Sequence, residues 1–183
     1  MPLIKPSVTL ALTLASLIAV PAALCAAGPA RQDLTIKETI AAPPERVWAV
    51  IADFQDMGWH PAITKTAGRG GNAARAVRTL TLTGGGQIVE ELQTYDAAAH
   101  TYSYRTLEVD PKVLPVTEYS SSLAVALATD GGSIVTWKGS FGRGDPHENP
   151  PAGLTDEAAV DAVTKVYQAG LTNLKALAEK KAQ

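Results

Sequence analysis

Cysteine is all but missing from this chain, and its single copy, Cys25, lies in the N-terminal stretch "PAALCAAG". That stretch follows Lys5 and an almost wholly apolar run from Val8 to Val20, which together read as a secretory signal peptide. The run is too short and wrongly flanked for a membrane anchor. A lipoprotein signal wants a small residue before the cysteine, and Leu24 is not small, so cleavage after Ala27 is preferred. Residues 1–27 are then the leader and 28–183 the mature chain, which is placed in the periplasm with no stable membrane anchor. Losing the leader removes the only cysteine, which excludes an internal disulfide and a catalytic thiol.

Charge of one sign is lacking too. The chain has 16 basic and 18 acidic residues, and loss of Lys5 makes it one charge more acidic. No basic stripe is present, which excludes a nucleic-acid partner. The three histidines, His60, His100 and His147, are isolated, with no H-x-H, H-E-x-x-H or C-x-x-C, so neither a metal site nor a resident cofactor is expected. "GRGGNA" fits a dinucleotide fingerprint in letters, but a strand follows where a helix is required. "KGSFG" lacks the Gly-x-Ser-x-Gly frame of a nucleophile elbow. Repeats and low-complexity runs are absent.

What remains is an ordinary globular composition, 46% hydrophobic and 19% charged, at single-domain length. A mature chain of this size buries about 70% of its unfolded surface and needs no disulfide. "DLTIKETIAA", 33–42, alternates Leu34, Ile36 and Ile40 against Thr35, Lys37 and Thr39, the period of a strand with one buried face. In "PPERVWAVIADF", Pro43 and Pro44 suit a helix start, Glu45 the positive end of its dipole, and Val47, Val50, Ile51 and Phe54 an apolar stripe. Gly58 and Pro61 then break the chain, placing Trp59 and His60 in a short second helix or turn ahead of a strand. Strands follow at 76–83, 87–95, 101–108, 116–129 and 133–142, with turn signals at hairpin spacing, so the sheet is an antiparallel meander. "GDPHENPPAG" is a linker. From Thr155 a long helix carries Val163, Tyr167, Gly170, Leu171, Leu174 and Leu177 on one face. It must lie across the sheet for both to be buried.

That order resembles the START/Bet v 1-like helix-grip fold of the polyketide cyclase and SRPBCC proteins. The segments that carry it are "APPERVWAVIADF", "WHP", "VRTLTLTGGGQIVEEL", "YSYR", "LPVTEYSSSLAV" and "VTWKGSF", spread over nearly all of 33–178. The resemblance implies an α+β fold: a curved antiparallel sheet of six or seven strands around the C-terminal helix, two short helices after the first strand, and a cavity between sheet and helix. More narrowly, the leader with "DMGWHPAI", "EVDPKVLPVTEYSS", "WKGSFGRG" and "NLKAL" is similar to the periplasmic MxaD-type accessory proteins encoded with methanol dehydrogenase.

Register tells which residues face that cavity. With "GGG", 84–86, as a three-residue loop, Thr83 pairs with Gln87, Leu82 with Ile88, Leu80 with Glu90 and Arg78 with Leu92. Arg78 and Glu90 then both point inward, diagonally placed, and two buried charges must pair or bind something charged. The same exercise turns Tyr102, Tyr104, Tyr119, Ser121 and Trp137 inward, while Tyr167 looks back from the helix.

The candidate pocket is thus Trp59, His60, Arg78, Glu90, Tyr104, Tyr119, Trp137 and Tyr167, and each has a plainer role beside the functional one. His60 is a base, a pocket donor or a packed turn histidine. Trp59 is rim or core. Arg78 and Glu90 anchor a polar ligand group or form a structural ion pair. The tyrosines and Trp137 are a stacking surface or plain core. No nucleophile with an orienting partner appears, so no catalytic set is assigned. Three functions compete: an accessory protein assisting electron transfer from methanol dehydrogenase to cytochrome c, as the narrower resemblance implies; a carrier of a small apolar molecule; and a cyclase- or hydratase-like enzyme using His60, Glu90 and Arg78.

Overall fold

The computed structural model describes residues 31–180, so the expected leader and its cleavage site lie outside the described residues. Seven strands form one antiparallel sheet: β1 (Gln32–Ile40), β2 (Ile63–Arg69), β3 (Val77–Leu82), β4 (Gln87–Asp96), β5 (Thr101–Val109), β6 (Val116–Leu127) and β7 (Ser133–Arg143). Their spatial order is β1-β7-β6-β5-β4-β3-β2, a meander whose first strand joins the last. Helix α1 (Pro44–Ile51) follows β1, and helix α2 (Asp156–Glu179) closes the chain after a single 3-10 turn at Ala152–Leu154.

Local chemistry accounts for the helix ends. Pro43 is extended at φ −65° and ψ 155° and Pro44 opens α1, where a missing N–H costs nothing. Trp48 joins Val47 and Ile51 on its buried face. Thr155 caps α2, its hydroxyl accepting from the Ala158 N–H at 3.2 Å, with Asp156 and Glu157 in the first turn. Ala159, Val163, Tyr167, Gly170, Leu171, Leu174 and Ala178 form the buried stripe. Each large aliphatic in it contributes about 1.5–3 kcal/mol by leaving water. Ala178, rather than the half-buried Leu177, ends that stripe. Polar contacts pin the helix to the sheet's edge: Lys175 Nζ meets Glu38 Oε1 at 2.7 Å, and the Ala41 N–H donates to Glu179 Oε1 at 2.8 Å.

Two expectations are corrected. No second helix follows α1; residues 53–62 are turns, held by the Asp56 N–H to the Asp53 carbonyl at 3.0 Å and the His60 N–H to the Met57 carbonyl at 2.9 Å. Asp53, Asp56 and Gly58 favour such local closures over a helix. In the β3–β4 hairpin the register is shifted by two: Leu80 pairs with Ile88 and Arg78 with Glu90, directly opposite rather than diagonal. Thr83 does not pair with Gln87 because its N–H donates to the Ala62 carbonyl at 2.8 Å. The turn therefore widens across Gly84, Gly85 and Gly86, all at positive φ (93°, 97° and 87°). A shift of two keeps every side chain on its expected face.

The β4–β5 pairing shifts register between Val89 and Glu90 and again between Leu92 and Thr94, and β6–β7 shifts between Thr117 and Ser120. Such irregularities sharpen local twist and bend the sheet around α2. Among the described residues no helix is long and apolar enough to cross a membrane.

Candidate ligand pocket

Between sheet and helix lies a cavity in which the centre of a water-sized sphere has about 60 Å³ to move. Its walls are mostly apolar: Leu80, Leu82 and Ile88 from the sheet, Met57 and Ile63 from the turns and β2, and Val163 and Val166 from α2. Val113 and Leu114, in the β5–β6 connection, close one end. The space exceeds what one water needs, about 10–15 Å³, and falls far below the roughly 300–1,000 Å³ of drug-sized sites. It suits a very small molecule.

Five of the eight candidate residues line it: His60, Glu90, Tyr104, Tyr119 and Trp137. Arg78 stands behind Glu90, Tyr167 behind Trp137, and Trp59 is core, all buried. The Trp59 indole N–H is buried without a partner among the described residues, and its ring stands 5.6 Å from that of Trp137.

His60, on the tight turn after Met57, is 2% exposed. Its Nε2 lies 2.9 Å from the Val166 carbonyl, which accepts only if Nε2 carries the proton, and Nδ1 then accepts from the Ala62 N–H at 3.2 Å. Burial lowers its pKa below the usual 6.5; the Val166 bond pulls the other way and the Arg78 charge adds to the lowering. With both nitrogens on backbone groups, the ring ties the turn to α2 and has no free nitrogen for a substrate proton.

Arg78 and Glu90 form a buried pair. Arg78 Nε donates to Glu90 Oε2 at 2.7 Å, and Nη2 makes a 2.7 Å ion contact with the same oxygen without the alignment of a hydrogen bond. Nη1 donates to the Phe54 carbonyl at 2.9 Å. The guanidinium carbon sits 4.2 Å from the centre of the Phe54 ring and 5.0 Å from that of Tyr104. Burial works against the Arg78 charge, but Glu90 and the neighbouring tyrosines outweigh it and hold the pKa above its ordinary value. Arg78 therefore stays charged.

A hydroxyl network backs the far wall. Tyr119 donates to the Tyr167 oxygen at 2.8 Å, Ser121 Oγ lies 2.6 Å from that oxygen, and the Trp137 indole N–H donates to Ser121 Oγ at 2.9 Å and to Tyr104 at 3.2 Å. Trp137 and Tyr167 stack at 4.3 Å. Burial pushes Tyr104 and Tyr119 well above the usual tyrosine range and Tyr102 up to about 12, so all three remain protonated.

His100 stacks on Trp48 at 5.4 Å and His147 pairs with Asp145, both away from His60. Among the described residues no group of three or more His, Cys, Asp or Glu is placed to hold a metal. Sequence reasoning missed Val113 and Leu114 because "DPKVLP" reads as a turn. Two adjacent apolar residues inside a proline-bounded turn were the available signal.

Residues 31–179 match the family described as polyketide cyclase / dehydrase and lipid transport. The chain belongs to that family. Among solved structures it is similar to XoxI from Bacillus cereus, at 29% identity and TM-score 0.66 over 79% of this chain and 93% of that one. It is also similar to an uncharacterised protein from Bacillus thuringiensis, at 28% identity and TM-score 0.68 over 81% of this chain and all of that one. A third likeness is to a protein from Nitrosospira multiformis, at 25% identity and TM-score 0.63 over 79% and 94% of the two chains. No curated protein matches.

Proposed function

We propose that this protein is a non-catalytic binding module that takes a small, largely apolar molecule into the helix-grip cavity. The observation that carries this reading is the cavity, apolar on most of its wall, with Glu90 the charged residue on it. The candidate acid–base groups are engaged otherwise: His60 on two backbone groups, and Arg78 on Glu90 and Phe54. Xenon, which has no polar head and enters dry cavities of modest size, is the direct test. Methyl signals of Leu80, Leu82, Ile88 and Val163 should shift saturably as xenon is dissolved, while surface methyls stay still. Unmoved cavity methyls would overturn the reading.

A second reading concerns partners and place. "DMGWHPAI", "EVDPKVLPVTEYSS" and the leader favour a periplasmic accessory of the MxaD type, acting between methanol dehydrogenase and its cytochrome c acceptor. In that case, deleting the protein slows electron flow to the cytochrome and leaves the dehydrogenase's activity with an artificial dye intact. Loss of the dye activity as well points to assembly instead. No effect on either discards the role.

A further inference from the structure

The sheet is split where it covers the cavity. β5 runs on to Val109 and β6 begins at Val116, yet their pairing stops at Arg105 and Ser120. Beyond that point β5 pairs with β4, through Thr106 with Glu90 and Glu108 with Val89, and β6 pairs with β7, through Thr117 with Gly142. The two strands no longer pair with each other. A groove of about 530 Å³ opens there, lined among others by Thr106, Leu107, Val109, Val116, Glu118 and Tyr119. Tyr119 lines this groove and the interior cavity alike.

The polar groups at this junction are unevenly engaged. Glu90 is 4% exposed and lines the cavity; Arg78 occupies its Oε2, and Oε1 has no hydrogen-bond partner among the described residues. Directly across the β4–β5 pairing, Thr106 Oγ1 is buried and has no partner among the described residues. His60 and Tyr119, by contrast, have theirs. A carboxylate on the cavity wall with one oxygen lacking a protein donor is what a ligand's hydroxyl or amino group would satisfy. Glu108 and Asp110 on the groove repel a carboxylate head.

We propose that cavity and groove are one site, entered through the split between β5 and β6, for a small molecule with an apolar body and a hydroxyl or amino head that donates to Glu90 beside Thr106. This rests on the binding reading above and names the class of molecule that reading leaves open.

Three probes of one chain length test it: n-butanol, n-butylamine and butyrate, titrated into the full mature chain by NMR, with xenon as the headless reference. Butanol and butylamine should bind at least about tenfold more tightly than butyrate, the difference one hydrogen bond to a charged group makes. Bound butanol should show contacts to the Tyr119 ring and the Thr106 methyl. Thr106→Val, which keeps the shape and leaves the Arg78–Glu90 pair alone, should weaken both donors several-fold and leave xenon unchanged. Butyrate binding as tightly as butanol, a bound ligand without contact to Tyr119, or an indifferent Thr106→Val would each overturn the proposal. Xenon entering while none of the three probes binds would sink it and spare the binding reading. Failure of xenon too would sink both.

Discussion

His60 is buried, and both ring nitrogens rest on backbone groups, so its neutral form is part of the fold. Its folded pKa lies below 6.5, so as pH falls through that value the unfolded chain takes up a proton the folded one refuses. Stability is therefore full above about pH 6.5 and declines below it. Urea midpoints at about pH 7.5 and about pH 5 should differ more in the wild type than in His60→Gln; equal differences would remove His60 as the cause. The Arg78–Glu90 pair follows another rule. Arg78→Met or Glu90→Leu alone leaves one buried charge stranded at about 3–5 kcal/mol, and the double change recovers much of that loss. Recovery will be incomplete because Arg78 also lies over Phe54 and Tyr104. A double-mutant cycle by urea unfolding measures it, and near-zero coupling would contradict the pairing.

At the scale of the element, α2 contains a glycine where helix propensity argues for alanine. Replacing a mid-helix glycine ordinarily gains about 1 kcal/mol. At Gly170, however, a Cβ would lie 2.6 Å from His60 Cδ2 and 2.8 Å from Trp137 Cζ3. Both rings are packed on all sides, and overpacking of this kind costs about 1–3 kcal/mol. Gly170→Ala should therefore lower the thermal midpoint instead of raising it, while Gly153→Ala, where a Cβ meets nothing within 4 Å, should be close to neutral. A stabilised Gly170→Ala would mean that α2 stands off the sheet. That Gly170 faces the core was legible from the helical period of Val163, Tyr167, Leu171 and Leu174. That it admits His60 and Trp137 was not, since those rings arrive from a distant turn and from β7.

For the whole molecule, the apolar run from Val8 to Val20 predicts an exported chain that has lost its leader. Mass spectrometry of the mature protein should find an N-terminus between Ala26 and Ala30; an intact Met1 on exported material would sink the leader. Arg31 is anchored to the sheet, donating to Glu118 Oε2 at 3.1 Å and to the Ser140 carbonyl at 3.0 Å.

Away from the bulges, which face a strand residue takes was legible in the sequence, because side-chain direction alternates with a period of two. At the β4 bulge, where Glu90, Glu91 and Leu92 are all buried, alternation alone does not decide. Arg78, Tyr104, Tyr119 and Trp137 point inward as their alternation requires, and Thr155 starts α2 through a contact within one turn. Which residue stands opposite which is a different matter. Arg78 faces Glu90 squarely only because the Ala62 carbonyl, in the turn just before β2, takes the Thr83 N–H and forces the glycine turn to widen. The second helix gave way to turns once His60 found Val166 and Trp59 accepted from Asn173 at 2.7 Å, both on a helix more than a hundred residues away. The cavity and the split above it belong wholly to the tertiary structure. An empty volume is what remains between walls from β3, β4, β6, α2 and the Val113–Leu114 connection, and no one segment encodes the difference.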